Sequence, residues 1–379
     1  MSTLKVTSIQ NPSTSSGGVS IDTSGHVTVD GVVMPNAGPL SNRNKIINGD
    51  MRIDQRNAGG SITQNTSGQY PVDRFYVTGS VTSKFTAQQN AGSVTPPAGF
   101  TNYLGCTSSS AYSIGAGDFF IVTQLLEGFN VADFDFGKST AKTITLSFWV
   151  RSSLTGTFGG AVQNGAGNRS YPFSYAISAT NTWEQKSVTI AGDTSGTWNT
   201  DNSSGMVLRF GLGVGSTYSG TAGSWSGSQL FSATGATSVV GTNGATFYIT
   251  GVQLEVGSVA TPFEHRGYGD ELARCLRYFQ YFTTDTSSAV YLGMGIAAGS
   301  TSARMFMPIS VPMRTTPSIT ENGASADDQL GEYPLSSPQV IASTASTVRV
   351  QFTASGMTGG RPLQLLVGAG QSITLSAEL

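Results

Sequence analysis

The chain has 379 residues, of which only 11% are charged, and a net charge of −2. Ordinary soluble domains carry about 25% charge. A disordered chain carries more charge and fewer aromatics than this one, which has 36 Phe, Trp and Tyr. Near-neutrality argues against nucleic-acid binding driven by phosphate contacts. Two histidines, His26 and His265, exclude a multi-histidine zinc site within one chain and leave little room for a histidine-based triad.

Residues 1–42 are rich in small side chains. Val19, Ile21, Val27 and Val29 alternate on either side of an Asp-Thr-Ser-Gly turn, which predicts a β-hairpin. Pro35, Gly38 and Pro39 then mark a linker. The piece is too small for its own core and is read as an attachment segment. Met1 to Gln10 lacks the apolar run of a secretory signal.

Residues 43–267 carry strand signals. In Thr143-Ile-Thr-Leu-Ser-Phe-Trp-Val150 the apolar Ile144, Leu146, Phe148 and Val150 alternate with Thr143, Thr145, Ser147 and Trp149. Further strands are predicted over 119–126, 183–190, 206–212 and 246–254. The pattern predicts an antiparallel β-sandwich. The Gly/Ser/Thr-rich stretch 211–245, holding Tyr218 and Trp225, is unusually long for a connection, and such loops are often functional.

A connecting helix is predicted over 268–282, with Leu272, Leu276 and Phe279 on one stripe and Asp270 and Glu271 suiting its positive end. Residues 283–379 return to strand periodicity at 289–296, 304–309, 347–352, 364–367 and 373–375, predicting a smaller C-terminal β domain. No stretch of 18 apolar residues predicts a membrane span. Cys106 and Cys275 lie far apart without CxxC spacing and read as buried reduced thiols.

Three acid pairs could serve a glycosidase: Asp133 with Asp135, Asp327 with Asp328, and Asp270 with Glu271. In Val131-Ala-Asp-Phe-Asp-Phe136, alternation places Asp133 and Asp135 on one strand face. A solvated face is the plainer reading, and no nucleophile motif with the required strand-turn-helix setting is present, so no enzyme activity is expected.

Sugar binding by a sandwich uses flat aromatics with Asn, Gln and Asp beside them. Trp198, Asn199 and Asp201 share one polar loop, and Tyr218 and Trp225 lie in the long Gly-rich stretch. These five are the glycan-binding candidates, set against the plainer reading that each aromatic pins a loop or fills a subunit interface. Trp183 and Trp149 read as packing.

Several segments resemble a family of bacteriophage tail-fibre or virion appendage proteins. They are Asn44-Lys-Ile-Ile-Asn-Gly-Asp-Met51, Tyr70-Pro-Val-Asp-Arg-Phe75, Gln124-Leu-Leu-Glu-Gly128 and the 143–150 strand. Thr250-Gly-Val-Gln-Leu-Glu-Val-Gly-Ser-Val-Ala-Thr-Pro-Phe-Glu264, Glu271-Leu-Ala-Arg-Cys-Leu-Arg-Tyr278 and the ending Ser376-Ala-Glu-Leu379 complete the series. The order also resembles carbohydrate-binding jelly-roll modules. The resemblance implies a virion location, a homotrimeric fibre docked to the tail or an adaptor through 1–42, and binding to a host surface glycan. A structural virion component without receptor binding is the alternative. Modules of this kind often hold a structural calcium, which would here fall to Asp50 and Glu255; otherwise no cofactor is implied.

Overall fold

The computed structural model describes residues 8–10, 18–23, 25–284 and 288–379. Met1 to Thr7, residues 11–17 and Ser24 of the expected attachment segment lie outside the described residues. The chain divides into two compact units, Met1–Arg266 and Gly267–Leu379.

At the start of the first unit, Val19–Ile21 and Val27–Val29 form the expected hairpin, with Val19 opposite Val29. Val32–Val33 folds back on Val27–Val29. The turn between them is Asp30-Gly31, whose positive φ values of 48° and 79° suit a two-residue hairpin.

The body of this unit is a jelly-roll-like antiparallel sandwich of two six-stranded sheets. The first sheet runs, edge to edge, Ser170–Ile177, Gly156–Asn164, Ser204–Val214, Phe119–Glu127, Phe75–Gly79, Gln69–Val72. The second runs Glu184–Ile190, Ile144–Ser152, Thr246–Val256, Leu104–Ser108, Phe85–Gln89, Ile62–Thr63. Alternating residues of both sheets make one core, including Phe120, Val122, Phe148, Phe158, Phe210 and Phe247. Aromatic edges meet faces inside it, as where Phe148 lies 4.9 Å from Tyr175 and 5.1 Å from Phe210. Burial of such rings drives the two sheets together.

The segments quoted above as motifs close this sandwich. The Asn44 side chain accepts from the N–H groups of Ile46 and Leu254 and donates to the Val252 carbonyl. The Gln124 amide pairs with both backbone groups of Ile47, at 3.0 and 2.8 Å. Gly49 runs so close to the last strand that a Cβ there would sit 2.2 Å from the Val252 carbonyl oxygen. Buried backbone polar groups must be paired, and these side chains supply the partners where no regular ladder exists.

Two local expectations fail. Residues 131–136 are not a strand: a helical turn, Gly128–Val131, runs into a 3-10 turn, Ala132–Phe134. The alternation arises because Phe134 and Phe136 both turn into the core while Asp135 adopts φ 56°. The predicted helix is also too long. It spans Tyr268–Leu276, and Phe279–Thr283 is a strand paired with Ser372–Ser376. The aromatic, β-favouring run after Tyr278 finds a strand partner about 90 residues away, which overrides the local helical stripe.

In the second unit a seven-stranded sheet and a three-stranded sheet enclose a core of Met305, Met307, Val350, Phe352, Leu365 and their neighbours. Ser302–Pro308 alternates strictly, burying Ala303, Met305 and Met307 and exposing Arg304, Phe306 and Pro308. Among the described residues no helix is long and apolar enough to cross a membrane. Both cysteines are buried, and burial pushes the Cys106 thiol far up from its ordinary pKa.

Candidate functional site

The loops 128–143, 165–169 and 191–203 leave their strands at one end of the sandwich, since Glu127 is opposite Ser204 and Gln163 is opposite Ser170. Buried polar groups hold them together. Arg169 donates to Asp193 through Nε at 2.7 Å and Nη2 at 2.6 Å. Asp193 is 2% exposed and also accepts from the N–H of Ser195. The Asn164 side chain donates to the Thr197 carbonyl and to Asn168, and accepts from the N–H groups of Asn168 and Arg169. Across the way, Gly137 donates to the Asp193 carbonyl at 2.7 Å.

These anchors assemble four aromatic rings. Trp198 and Trp225 meet edge to face with centroids 5.5 Å apart. Phe136 lies 4.8 Å from Trp198 and 5.7 Å from Trp225, and Tyr171 lies 5.2 Å from Trp225. Each indole N–H is spent on a backbone carbonyl, Trp225 on Ala191 at 2.7 Å and Trp198 on Ser195 at 3.2 Å. Both tryptophans are half-buried. Trp225 therefore acts chiefly as a pin for the long loop, whose next residue, Ser226, pairs with Ser170.

Beside Trp198 a cleft of about 210 Å³ opens between the two loops, lined by Phe134, Asp135, Lys138, Trp198, Asn199 and Thr200 among others. On the helical turn that leads into this lining at Val131 and Ala132, Phe129 is 61% exposed. Its position is fixed by the backbone: Phe129 N–H donates to the Asp201 carbonyl at 2.8 Å and Gly128 N–H donates to Ser203 at 2.9 Å. A Cβ on Gly128 would lie 2.5 Å from the Asn199 carbonyl oxygen, so only glycine lets the turn press onto that loop. The result is an exposed aromatic ring on a turn tied to the loop that carries Trp198 and Asn199.

Of the five candidates, the structure brings Trp198, Trp225 and Asn199 into one region. Asn199 is exposed and donates to the Ser204 carbonyl. The Asp201 carboxylate is turned to the hydroxyl and N–H of Ser203, which hold its pKa below the usual range. Tyr218 lies elsewhere. It follows Val214, which pairs with Phe119 at the opposite end of the strand pair. There it stacks flat on Phe231, with centroids 4.6 Å apart and planes 2° apart, which covers one ring face. Phe129 was not among the candidates, because a lone Phe after a strand carries no periodic signal.

The acids of the first two pairs are taken up by separate partners. Asp133 meets Lys45 at 2.9 Å and Asp135 meets Lys138 at 2.8 Å. The Lys138 ammonium holds the Asp135 carboxyl below its ordinary pKa. Asp327 accepts from the Tyr291 hydroxyl, and Asp328 from Arg361 at 2.9 Å. Trp183 donates to the Thr95 carbonyl and packs edge-on against Tyr103.

The residues named for calcium do not fit that ion as placed. Glu255 Oε1 accepts from Gln253 and from the N–H of Thr261, and Oε2 accepts from the Thr261 hydroxyl at 2.7 Å. The Arg43 guanidinium lies 3.4 Å from the same carboxylate. Asp50 is paired with Arg52. Oxygens engaged with donors and guanidinium groups do not make a hard-cation shell. Among the described residues no three His, Cys, Asp or Glu side chains cluster as a metal site would require.

No family model and no curated protein matches this sequence. Solved structures similar in part include the enzymatically active domain of tailspike protein 4 from bacteriophage CBA120, at 12% identity and a TM-score of 0.32. That match covers 56% of this chain and 21% of the tailspike domain, so the chain aligns with about a fifth of its length. A carbohydrate-binding module solved with β-1,4-galactotriose matches over 56% of this chain and 99% of its own, at 11% identity and a TM-score of 0.29. A family 11 carbohydrate-binding module from Clostridium thermocellum, solved with a mixed-linked tetrasaccharide, matches over 50% and 91%, at 8% identity and a TM-score of 0.25.

Proposed function

We propose that this chain is a phage tail fibre, a receptor-binding protein that attaches the virion to a host cell-surface polysaccharide. The observation that carries the binding half is the cleft walled by Trp198 and Asn199, with Phe129 exposed on the turn whose backbone is tied to the same 191–203 loop. An apolar sugar face stacks on such a ring, and flanking carbonyl, amide and charged groups meet the hydroxyls. The virion half is supported by the ordered set of segments that resemble tail-fibre proteins. A homotrimer is supported by the low charge of the chain and by apolar side chains left exposed on the C-terminal sheet, such as Tyr291, Met294 and Phe306. Tethering three sites multiplies a weak sugar contact. Residues 1–42 are assigned to docking on the tail.

The role proposed is binding without cleavage. The Asp133 and Asp135 carboxylates each face a lysine, and the Lys138 ammonium holds the Asp135 carboxyl below its ordinary pKa, the opposite of the raised value a general acid needs. The test is retention of the purified chain on host-type cells and on their extracted surface polysaccharide, with release of reducing ends measured in parallel. Retention that Phe129→Ala and Trp198→Ala each weaken, without sugar release, is expected. No retention of a correctly folded protein would overturn the reading in favour of a passive virion component.

A further inference from the structure

The outward face of the first sheet is covered by a strap, residues 219–233, running from Ser219–Gly220 to Ser232–Ala233. Beneath it lie polar atoms that the fold leaves unused. On the strand Ser204–Val214, Leu208 and Phe210 enter the core, so Arg209 points the other way. Its direct neighbours across the sheet are Thr123 and Ala161. Gln163 is two residues beyond Ala161 on the same face and donates to the Leu230 carbonyl of the strap at 2.7 Å. Ser232 drops from the strap onto two glycines of that face. Its hydroxyl oxygen is 2.4 Å and 2.9 Å from where a Cβ on Gly159 or Gly211 would stand.

Five atoms here are shielded from solvent without a hydrogen-bond partner: Arg209 Nε and Nη1, Thr123 Oγ1, Ser232 Oγ and Gln163 Oε1. Native interiors leave few such atoms, and each calls for an explanation. The guanidinium lies over the Phe231 ring at 4.5 Å and hydrogen-bonds the Tyr76 hydroxyl, and among the described residues no carboxylate is paired with it. Arg43, Arg52, Arg56, Arg169 and Arg361 each have an acid. A buried cation without a counter-charge is costly, and burial pulls the Arg209 pKa down to about 10. Four of the five orphan atoms can donate, and a planar guanidinium flanked by two hydroxyls is the donor set that a carboxylate or sulfate accepts.

We propose that Arg209, Thr123 and Ser232 form a binding site for one oxyanion group, a carboxylate or a sulfate, beneath the strap. The site is separate from the Trp198 cleft and stands whether or not that cleft binds sugar. The remaining orphan, Gln163 Oε1, is an acceptor that a hydroxyl on the same ligand would satisfy.

Thermal unfolding of the full chain tests this, with chloride replaced at constant ionic strength by acetate, sulfate or D-glucuronate, and with D-glucose as the neutral arm. The sandwich transition should rise by about 3–5 °C at ten times the dissociation constant, and glucose should give none of it. Arg209→Met should lose the response to all three anions. Sulfate stabilises most proteins by exclusion from their surface, so the difference between wild type and variant is the signal. Should Arg209→Met fail to fold, Thr123→Val and Ser232→Ala keep the packing and should each shrink the response. A larger effect of glucuronate than of acetate would identify the anion as sugar-borne, and equal effects would identify a free oxyanion. Equal shifts in wild type and variants, or no shift at all, would overturn the site.

Discussion

Arg169 and Asp193 lie side by side with two parallel hydrogen bonds, of 2.7 and 2.6 Å, and Asp193 is almost wholly out of water. The pair ties the 165–169 turn to the 191–203 loop, and so it sets where Trp198 stands. Removing the guanidinium leaves a buried carboxylate without its counter-charge. Arg169→Gln is therefore expected to cost about 3–5 kcal/mol, read as a lower denaturant midpoint for the sandwich. Arg169→Lys should recover only part of this, because an ammonium cannot match both oxygens at once.

Phe129 and Trp225 should separate binding from stability. Trp225 packs on three rings and caps a backbone carbonyl. Trp225→Ala is expected to destabilise the sandwich by about 2–3 kcal/mol, below the range of a fully buried tryptophan. Phe129→Ala should change stability by less than about 0.5 kcal/mol. It should weaken polysaccharide binding roughly fivefold, the worth of about 1 kcal/mol of stacking. Calorimetric binding beside chemical denaturation of both variants reads the two effects apart.

Gly49 predicts a steric failure. A Cβ there would meet the Val252 carbonyl oxygen at 2.2 Å, on the residue whose N–H donates to Gly49. Gly49→Ala should force the two backbones apart and cost about 1–3 kcal/mol. Faster amide exchange at Val252 and Leu254 would locate the damage.

In the C-terminal unit, Asp328 accepts from Arg361 and from the N–H groups of Leu330 and Gly331. Above all the Arg361 bond, then these N–H groups, holds the Asp328 carboxyl below its ordinary pKa. The unfolded chain then takes up the proton first as pH falls. The stabilisation is complete above the ordinary carboxylate pKa of about 4 and is lost as pH drops through the lower folded value. Asp328→Asn should flatten the acid limb of the unfolding curve for this unit below about pH 4, measured by circular dichroism.

The strands with strict alternation were legible in the sequence. The C-terminal runs 302–308 and 347–353 bury one face and expose the other, so period two survives; the run 144–150 is buried on nearly both faces, and its period shows only because Thr and Ser alternate with its apolar residues. Gly156–Asn164 was not legible, because its Gly-Thr-Phe-Gly-Gly run reads as a loop. Its glycines are there because the strap and Phe173 lie against them: a Cβ on Gly160 would meet the Phe173 ring at 2.5 Å. At the candidate site, Trp198 and Asn199 stood out as an aromatic and an amide in one polar loop. That Trp225, 27 residues on, would touch Trp198 depended on the strap following the edge strand, which no local pattern encodes. Tyr218 shared the long loop with Trp225 but belongs to the other end of the sheet. Phe129 owes its place to a glycine contact visible only in three dimensions.

The strand Thr246–Val256 lies in the middle of its sheet, between Ile144–Ser152 and Leu104–Ser108, although it is the last strand of the sandwich to be made. A ribosome releasing this chain therefore exposes two bare strand edges for the time needed to make about a hundred further residues. Bare edges are templates for pairing with other chains, and pairing over such separations is slow. Chains of one polysome, each waiting for its own closing strand, would be at greatest risk of joining one another. Their yield should depend on how long that interval lasts.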